Sequence, residues 1–311
     1  MGMSMQPKLS LVFFGNGPVA HKSLEFLNEL FEIELVITKR RPPHHKDPAP
    51  VETYANQQSL PVAFADTKQE LETIIGSKQL ESTCGVVIDY GVIISQTVID
   101  SFAHGILNSH FSILPEWRGA DPITFSLLSG QKQTGVSLMQ IDAGLDTGPM
   151  IAETPVSISP DETGKSLTAK LIETSNAQIA AVLPLYLNGA AIPLAQDAKQ
   201  AIVTYSRKLT KQDGILDTTK PASMLEREVR AFGDWPKTKL VINNDLTVII
   251  TRARALSTQL PQGKVQLTND DHLVVGTRLG SLDILELMPL GKKNMPIQAF
   301  LNGYRQHLPQ E

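Results

Sequence analysis

The sequence predicts an α/β protein: an N-terminal Rossmann-like, mostly parallel sheet with helices on both faces, followed by a small OB-like β-barrel. Three observations predict it. Continuous apolar runs of strand length, such as residues 9–14 and 85–89, alternate with helical patterns, as expected for strands buried on both faces. After residue 205 the pattern changes to short alternating runs separated by Asn, Asp and Gly turns. The length of 311 residues accommodates two domains at ~100–200 residues each. The expected division is a first domain over residues 1–189, a linker over 190–205 and a tail domain over 206–311.

The bulk properties narrow the class. A mean hydropathy of −0.07 and the absence of any long apolar run exclude a membrane span. Residues 1–6 show no basic segment leading into an apolar core, so a non-secreted, cytoplasmic protein is expected. A single cysteine, Cys84, cannot form an internal disulfide and reads as a small buried hydrophobe. The net charge of −4 is unevenly spread. Residues 206–311 hold 15 Lys and Arg against 11 Asp and Glu, whereas residues 1–205 hold 13 against 21. A basic tail domain on an acidic first domain suits a phosphate-rich partner bound mainly through the tail.

Taken in order, residues 9–14 form the first strand and meet Gly15-Asn16-Gly17-Pro18, with a helix over 19–31 and a strand over 33–38. Gly15-x-Gly17-x-x-Ala20 formally satisfies a dinucleotide fingerprint. Pro18 removes a turn N–H, however, and Thr38-Lys39 stands where a ribose-binding acid belongs, so a strand–loop–helix junction lining another pocket is preferred. Residues 39–50 form a proline-rich basic loop that continues neither helix nor strand. Its His44-His45 pair lacks further ligands at metal spacing. Short helices follow at 51–58 and 68–75 with a strand edge at 60–63, then a buried strand and its exit loop over 85–94. Asp121-Pro122 starts a short helix ending at Ser129-Gly130, and residues 134–141 form a strand. The longest helical pattern runs from 164 to 187, closed by Gly189. The tail opens with an amphipathic helix at 222–232 and continues with five short strands.

The chemistry concentrates in Leu107-Asn-Ser-His-Phe-Ser-Ile-Leu-Pro-Glu-Trp-Arg-Gly119 and the acidic loop Asp142-Ala-Gly-Leu-Asp-Thr-Gly148. Asn108 and His110 are two apart, so on extended backbone their side chains share a face. A carboxylate from the second loop, Asp146 before Asp142, can complete a three-residue site. Asn, His and Asp without a nucleophilic Ser or Cys suit direct group transfer through a tetrahedral intermediate: amide and imidazole hold the oxyanion, imidazole and carboxylate move protons.

The motif Asn-x-His-x-Ser-x-Leu-Pro followed by Gly-Leu-Asp-Thr-Gly resembles the folate-dependent formyltransferases, and Trp117-Arg118-Gly119 looks most like the methionyl-tRNA formyltransferases among them. The separation of 36 positions from His110 to Asp146 fits as well. In the tail, residues 205–210 and 226–232, Gly291-Lys292-Lys293 and the stretch 300–304 also resemble that family, so the resemblance runs from about residue 9 to residue 305. It implies a catalytic domain over 1–189 and a tRNA-binding domain over 206–311. The implied reaction moves the formyl group of 10-formyltetrahydrofolate to the α-amine of methionyl initiator tRNA, by a monomer that needs no metal. The implied catalytic residues are Asn108, His110 and Asp146. The implied folate contacts are Asp89, Tyr90, Gly91, Val92, Ser112, Leu114, Pro115, Asp142 and Gly144. The implied tRNA contacts are Arg40, Arg41, Lys46, Arg207, Lys208, Lys292 and Lys293. The basic loop is shorter than the family's usual one, and Glu116 stands where relatives often carry a basic residue. Two other readings stay open: formyl transfer to an amino sugar nucleotide, or a non-catalytic RNA-binding relative.

Overall fold

The computed structural model describes residues 8–41, 49–199, 201–243 and 246–309. Their chain forms two compact units: one takes residues up to 122, 133–157 and 168–206, the other 123–132, 158–167 and 207 onward.

The first unit begins with β1 (Ser10–Gly15), α1 (Gly17–Leu30), β2 (Glu32–Thr38), α2 (Pro50–Gln57), β3 (Val62–Phe64), α3 (Lys68–Gly76), β4 (Gly85–Ile88), the single turn α4 (Gln96–Ile99) and β5 (Ile106–His110). Then come β6 (Arg118–Gly119), α5 (Pro122–Ser129), which belongs to the second unit after its first residue, β7 (Gln133–Gln140), β8 (Met150–Ser157), α6 (Gly164–Leu187), whose first turn falls in the second unit, and β9 (Tyr205–Ser206). Seven strands make one sheet in the order β3-β2-β1-β4-β5-β7-β8. The first five are parallel, β7 is antiparallel to β5, and β8 is antiparallel to β7. This is the mostly parallel α/β sheet that the buried apolar runs predict.

The core explains why. Phe13 and Phe14 of β1 are fully buried, as are Ile37, Leu71 and Ile106, and all four residues of β4 are inside. Tyr90 and Phe102 meet the Phe14 ring edge-on at 5.9 and 6.1 Å. Each such side chain contributes ~1.5–3 kcal/mol of burial free energy. Gly15 is required by close packing, because a Cβ there would sit 2.7 Å from the Cβ of Ala20 on α1. The strand order reverses between β1 and β4, so the crevice outside their carboxyl ends is where such sheets take ligands.

In the second unit α7 (Ala222–Ala231) precedes β10 (Thr238–Asn243), β11 (Leu246–Leu256), β12 (Val265–Leu267), β13 (Leu273–Gly276), β14 (Ser281–Pro289), β15 (Met295–Pro296) and α8 (Ile297–Tyr304). The strands form an antiparallel sheet, β10-β11-β14-β13-β12, with β15 paired to β14. Bulges in β11 opposite β14 bend the sheet, which curls as a half-barrel around Val248, Leu273, Leu282 and Leu287. Leu225 and Val229 of α7 and Phe300 of α8 complete that core. Arg227 donates to the Leu128 carbonyl (2.9 Å) and Arg230 to the Glu162 carbonyl (2.6 Å), so both tie α7 to the chain segments that join this unit.

Elements that the sequence did not announce are α4, β6, β8, β9, β15 and α8. Residues 190–205, expected as a linker, carry specific bonds: Leu194 exchanges two backbone hydrogen bonds with Met150, both 2.7 Å. Tyr205–Ser206 pairs in parallel with Arg118–Gly119.

Candidate active site

Strand β5 places the first two residues. Ser109 turns to the helix side, where its Oγ lies 2.6 Å from Ser175 Oγ on α6. Asn108 and His110 therefore share the opposite face, as their spacing requires. After His110 the chain makes a tight turn locked from within. Ser112 Oγ donates to the Glu116 carbonyl (2.5 Å), Ser137 Oγ donates to the Ser112 carbonyl (2.8 Å) and the Leu114 N–H donates to Ser137 Oγ (3.0 Å). Trp117 sits at φ +55° and Gly119 at φ +111°. A Cβ on Gly119 would overlap the Ser206 carbonyl, so only glycine fits there.

The acidic loop brings Asp146 to this turn. Asp142 holds the loop together: its Oδ1 accepts from the Gly144 N–H (3.0 Å) and from Thr147 Oγ1 (2.7 Å). Asp146 adopts φ +51°, a conformation Asp tolerates better than most residues. Its Oδ2 accepts from the Gly119 N–H (2.8 Å) and lies 3.7 Å from His110 Nδ1, while its Oδ1 accepts a long bond from Asn108 Nδ2 (3.4 Å). Sequence-distant amide, imidazole and carboxylate thus converge.

The bonding also fixes the histidine's protons. His110 Nε2 is 3.0 Å from the Trp117 carbonyl, which can only accept, so Nε2 carries the hydrogen. Neutral His110 then turns the Nδ1 lone pair toward Asp146, and a proton arriving there lies between ring and carboxylate. Burial lowers the His110 pKa, opposed by the Asp146 charge and the Trp117 carbonyl. The ring is only 5% exposed.

Asp89 lies at the carboxyl end of β4, at φ +48°, its carbonyl accepting from the Asn16 N–H (3.0 Å). By area it is open to solvent, yet protein encloses its remaining sides; that enclosure, with Asp121 adding repulsion, raises its pKa to about 6. Among the other folate candidates, Tyr90 is buried and donates to the Ala65 carbonyl (3.1 Å), and Val92 packs on the core. Gly91 holds φ +71°. Ser112 and Leu114 are fully buried, so their side chains serve the fold, and the Pro115 carbonyl accepts from the Thr204 N–H (3.3 Å).

The tRNA candidates divide. Arg40 is spent on Asp66 (2.8 Å) and Glu70 (2.9 Å). Arg207 pairs with Asp213, whose carboxyl it holds well below the usual range, and lies over the Phe125 ring at 5.9 Å. Arg41, Lys208, Lys292 and Lys293 are exposed. Arg41 also lines a cavity of about 580 Å³ with Thr53, Asn56 and Phe64. Lys46 lies outside the described residues. Among the described residues no group of three or more His, Cys, Asp or Glu is arranged to hold a metal, and no helix is long and apolar enough to cross a membrane.

Sequence reasoning missed one side chain, Gln196. It is 4% exposed, donates to the carbonyls of Asp146 (2.8 Å) and Gly148 (2.9 Å), and accepts from Arg118 Nη2 (2.7 Å). Thr204 was likewise unforeseen: its Oγ1 accepts from the Trp117 N–H (2.8 Å). No local signal marks either residue, since each acts 48 or more positions from these partners.

A two-unit α/β architecture in which Asn108, His110 and Asp146 converge is what the fold and geometry define. Residues 12–183 match the model of the formyl transferase family, and residues 208–305 match the formyl transferase C-terminal domain. The chain belongs to the formyl transferase family. Among solved structures it is similar to an N-formyltransferase from Helicobacter canadensis in complex with folinic acid and dTDP-3-aminofucose (16% identity, 90% of this chain and 99% of that one, TM-score 0.66). HypX from Aquifex aeolicus with tetrahydrofolic acid is also similar (14% identity, 98% of this chain, TM-score 0.63). This chain spans about half of HypX, 49% of its length. A third is phosphoribosylglycinamide formyltransferase from Bacillus halodurans (26% identity, 58% of this chain and 96% of that one, TM-score 0.50).

Proposed function

We propose that this formyltransferase takes its formyl group from 10-formyltetrahydrofolate and passes it to the α-amine of methionine carried on initiator tRNA, in the cytoplasm, as a step of translation initiation. The observation that carries the chemistry is the approach of Asp146 to Gly119, Asn108 and His110. Folate as donor is supported by similar proteins holding folinic acid and tetrahydrofolic acid.

In this mechanism the amine nitrogen attacks the formyl carbon, and negative charge develops on the formyl oxygen. Asn108 Nδ2 has a second N–H beyond the one given to Asp146, and this holds the oxyanion. Losing one such donor costs about 2.7–4 kcal/mol of transition-state stabilisation. The proton leaving the amine passes to His110 Nδ1, where Asp146 stabilises the imidazolium. The proton is then delivered to N10 as the C–N10 bond breaks, leaving tetrahydrofolate. General acid–base help of this kind is worth roughly 10²–10⁴-fold. The backbone of residues 89–92, at the switch point between β1 and β4, would hold the pterin ring, and Asp142 and Gly144 shape the loop beside it.

The tRNA acceptor is supported by Trp117-Arg118-Gly119, by the positive balance of residues 206–311, and by the exposed Arg41, Lys208, Lys292 and Lys293. A second reading, an amino sugar nucleotide as acceptor, is favoured by the similarity to the dTDP-3-aminofucose complex, which extends over 90% of this chain. One assay separates them: 10-formyltetrahydrofolate is offered with charged initiator tRNA, with a dTDP-amino sugar, and with water alone. Formyl-methionine on tRNA supports the proposal. Formyl transfer to the sugar only, or formate release only, overturns it.

A further inference from the structure

We propose that Gln196 is a positioning residue: its carboxamide locks the loop carrying Asp146 to the turn carrying Arg118 and Gly119, and so sets the carboxylate against His110. The inference rests on the reading of Asp146 as the catalytic carboxylate.

A carboxamide offers two N–H donors and two acceptor lone pairs. Here all four are used. The Nε2 hydrogens go to the carbonyls of Asp146 (2.8 Å) and Gly148 (2.9 Å), and Oε1 accepts from Arg118 Nε (3.3 Å) and Nη2 (2.7 Å). The side chain is 4% exposed, so losing any of these bonds leaves a polar group stranded away from water.

The placement makes this more than a packing detail. Asp146 is held twice, by its own carbonyl on Gln196 and by its carboxylate on the Gly119 N–H (2.8 Å). Arg118 directly precedes Gly119, so Arg118, Gln196, Asp146 and Gly119 close a ring of bonds around the point where the two active-site loops meet. The backbone of that ring is anchored from behind. The Arg118 N–H donates to the Thr204 carbonyl (3.0 Å), and Leu194 pairs with Met150 just beyond the acidic loop. Without Gln196 the loop keeps its internal Asp142 bonds but loses the tie that fixes Asp146 at φ +51° and 3.7 Å from His110. A shift of about 1 Å in such a group costs on the order of 10²-fold in rate.

Two variants test this beside Asp146→Asn. Gln196→Met keeps the volume and removes every bond. Gln196→Glu keeps the pairing with Arg118 but sets an acceptor against two carbonyls, and it serves if the Met variant fails to fold. In either, kcat per active site should fall on the order of 10²-fold while KM for 10-formyltetrahydrofolate stays within about threefold. The acid limb of the kcat profile should move to lower pH, because a retreating Asp146 no longer raises the His110 pKa. A merely structural role would lower the active fraction without moving that limb. Unchanged kcat and limb in the Gln196 variants, with Asp146→Asn inactive, overturn this inference and leave the proposed function standing. Full activity in Asp146→Asn overturns both.

Discussion

Replacing Asp146 by Asn is the sharpest perturbation of the proposed chemistry, because it changes charge with almost no change of shape. In the native site the carboxylate takes the Gly119 N–H at 2.8 Å and faces His110 Nδ1 at 3.7 Å. Asn can keep its oxygen on the Gly119 N–H but sets its NH2 group against Asn108 Nδ2, so the loop should survive with a loss of about 1–3 kcal/mol, the cost of the weakened bond and the long one that is lost. The catalytic loss is larger. Two unit charges near 4 Å interact by roughly 4 kcal/mol at an effective dielectric constant of about 20, and that attraction exists only once His110 takes the amine's proton. Allowing for partial proton transfer in the transition state, the rate should fall roughly 10²–10³-fold. Single-turnover formyl transfer with saturating donor measures it directly, with thermal melting as the control for folding. Because Asp146 also raises the His110 pKa against burial, the acid limb should move to lower pH. A rate within about twofold of wild type, with an unmoved limb, would refute the assigned role.

Other outcomes follow from the same geometry. The Asp89 pKa of about 6 stands above its ordinary 3.8, so the folded state binds that proton more tightly than the unfolded chain. Stability is therefore lost as pH rises from about 4 to about 6. Asp89→Asn should raise the unfolding free energy at pH 7 and not at pH 4, by on the order of 1 kcal/mol or less given its open face. Burial pushes the Cys84 thiol up to about 12, so thiol reagents should label it only after denaturation. Neutralising Arg41, Lys208, Lys292 and Lys293 should weaken tRNA use and flatten its salt dependence, whereas Arg40→Ala, which breaks pairs with Asp66 and Glu70, should mainly cost stability. Equal salt slopes across these variants would remove the tRNA assignment from those side chains.

The sequence spoke most clearly where one residue pattern decides one structure. Gly164–Leu187 was readable as a helix to both ends, and β1 and β2 to within a residue, because buried parallel strands leave continuous apolar runs; β4 was read together with its exit loop, and the antiparallel β7 was read one residue late. Strand β8 left little trace. It is a sheet edge, half exposed, and carries Pro155, which a central strand could not hold. Helix α8 was hidden by its length of 8 residues and by Gly303 near its end. In the site, Asn108 and His110 were legible through strand periodicity, and Asp146 through its glycine-flanked loop. Gln196 and Thr204 were not, since side chains that reach far along the chain to backbone carbonyls and amides leave no periodic signature. Arg40 and Arg207 illustrate the converse: a basic residue in a promising loop can be consumed by carboxylates that only the fold brings near.

The central claim is that one amide holds the formyl oxygen while one imidazole carries the proton from the amine to N10. It is tested most directly by measuring donor affinity and single-turnover transfer to charged initiator tRNA in His110→Ala and Asn108→Ala. The account predicts folded proteins that bind 10-formyltetrahydrofolate within about threefold of wild type while transfer falls by at least roughly 10²-fold. Transfer at the wild-type rate in either variant would contradict it.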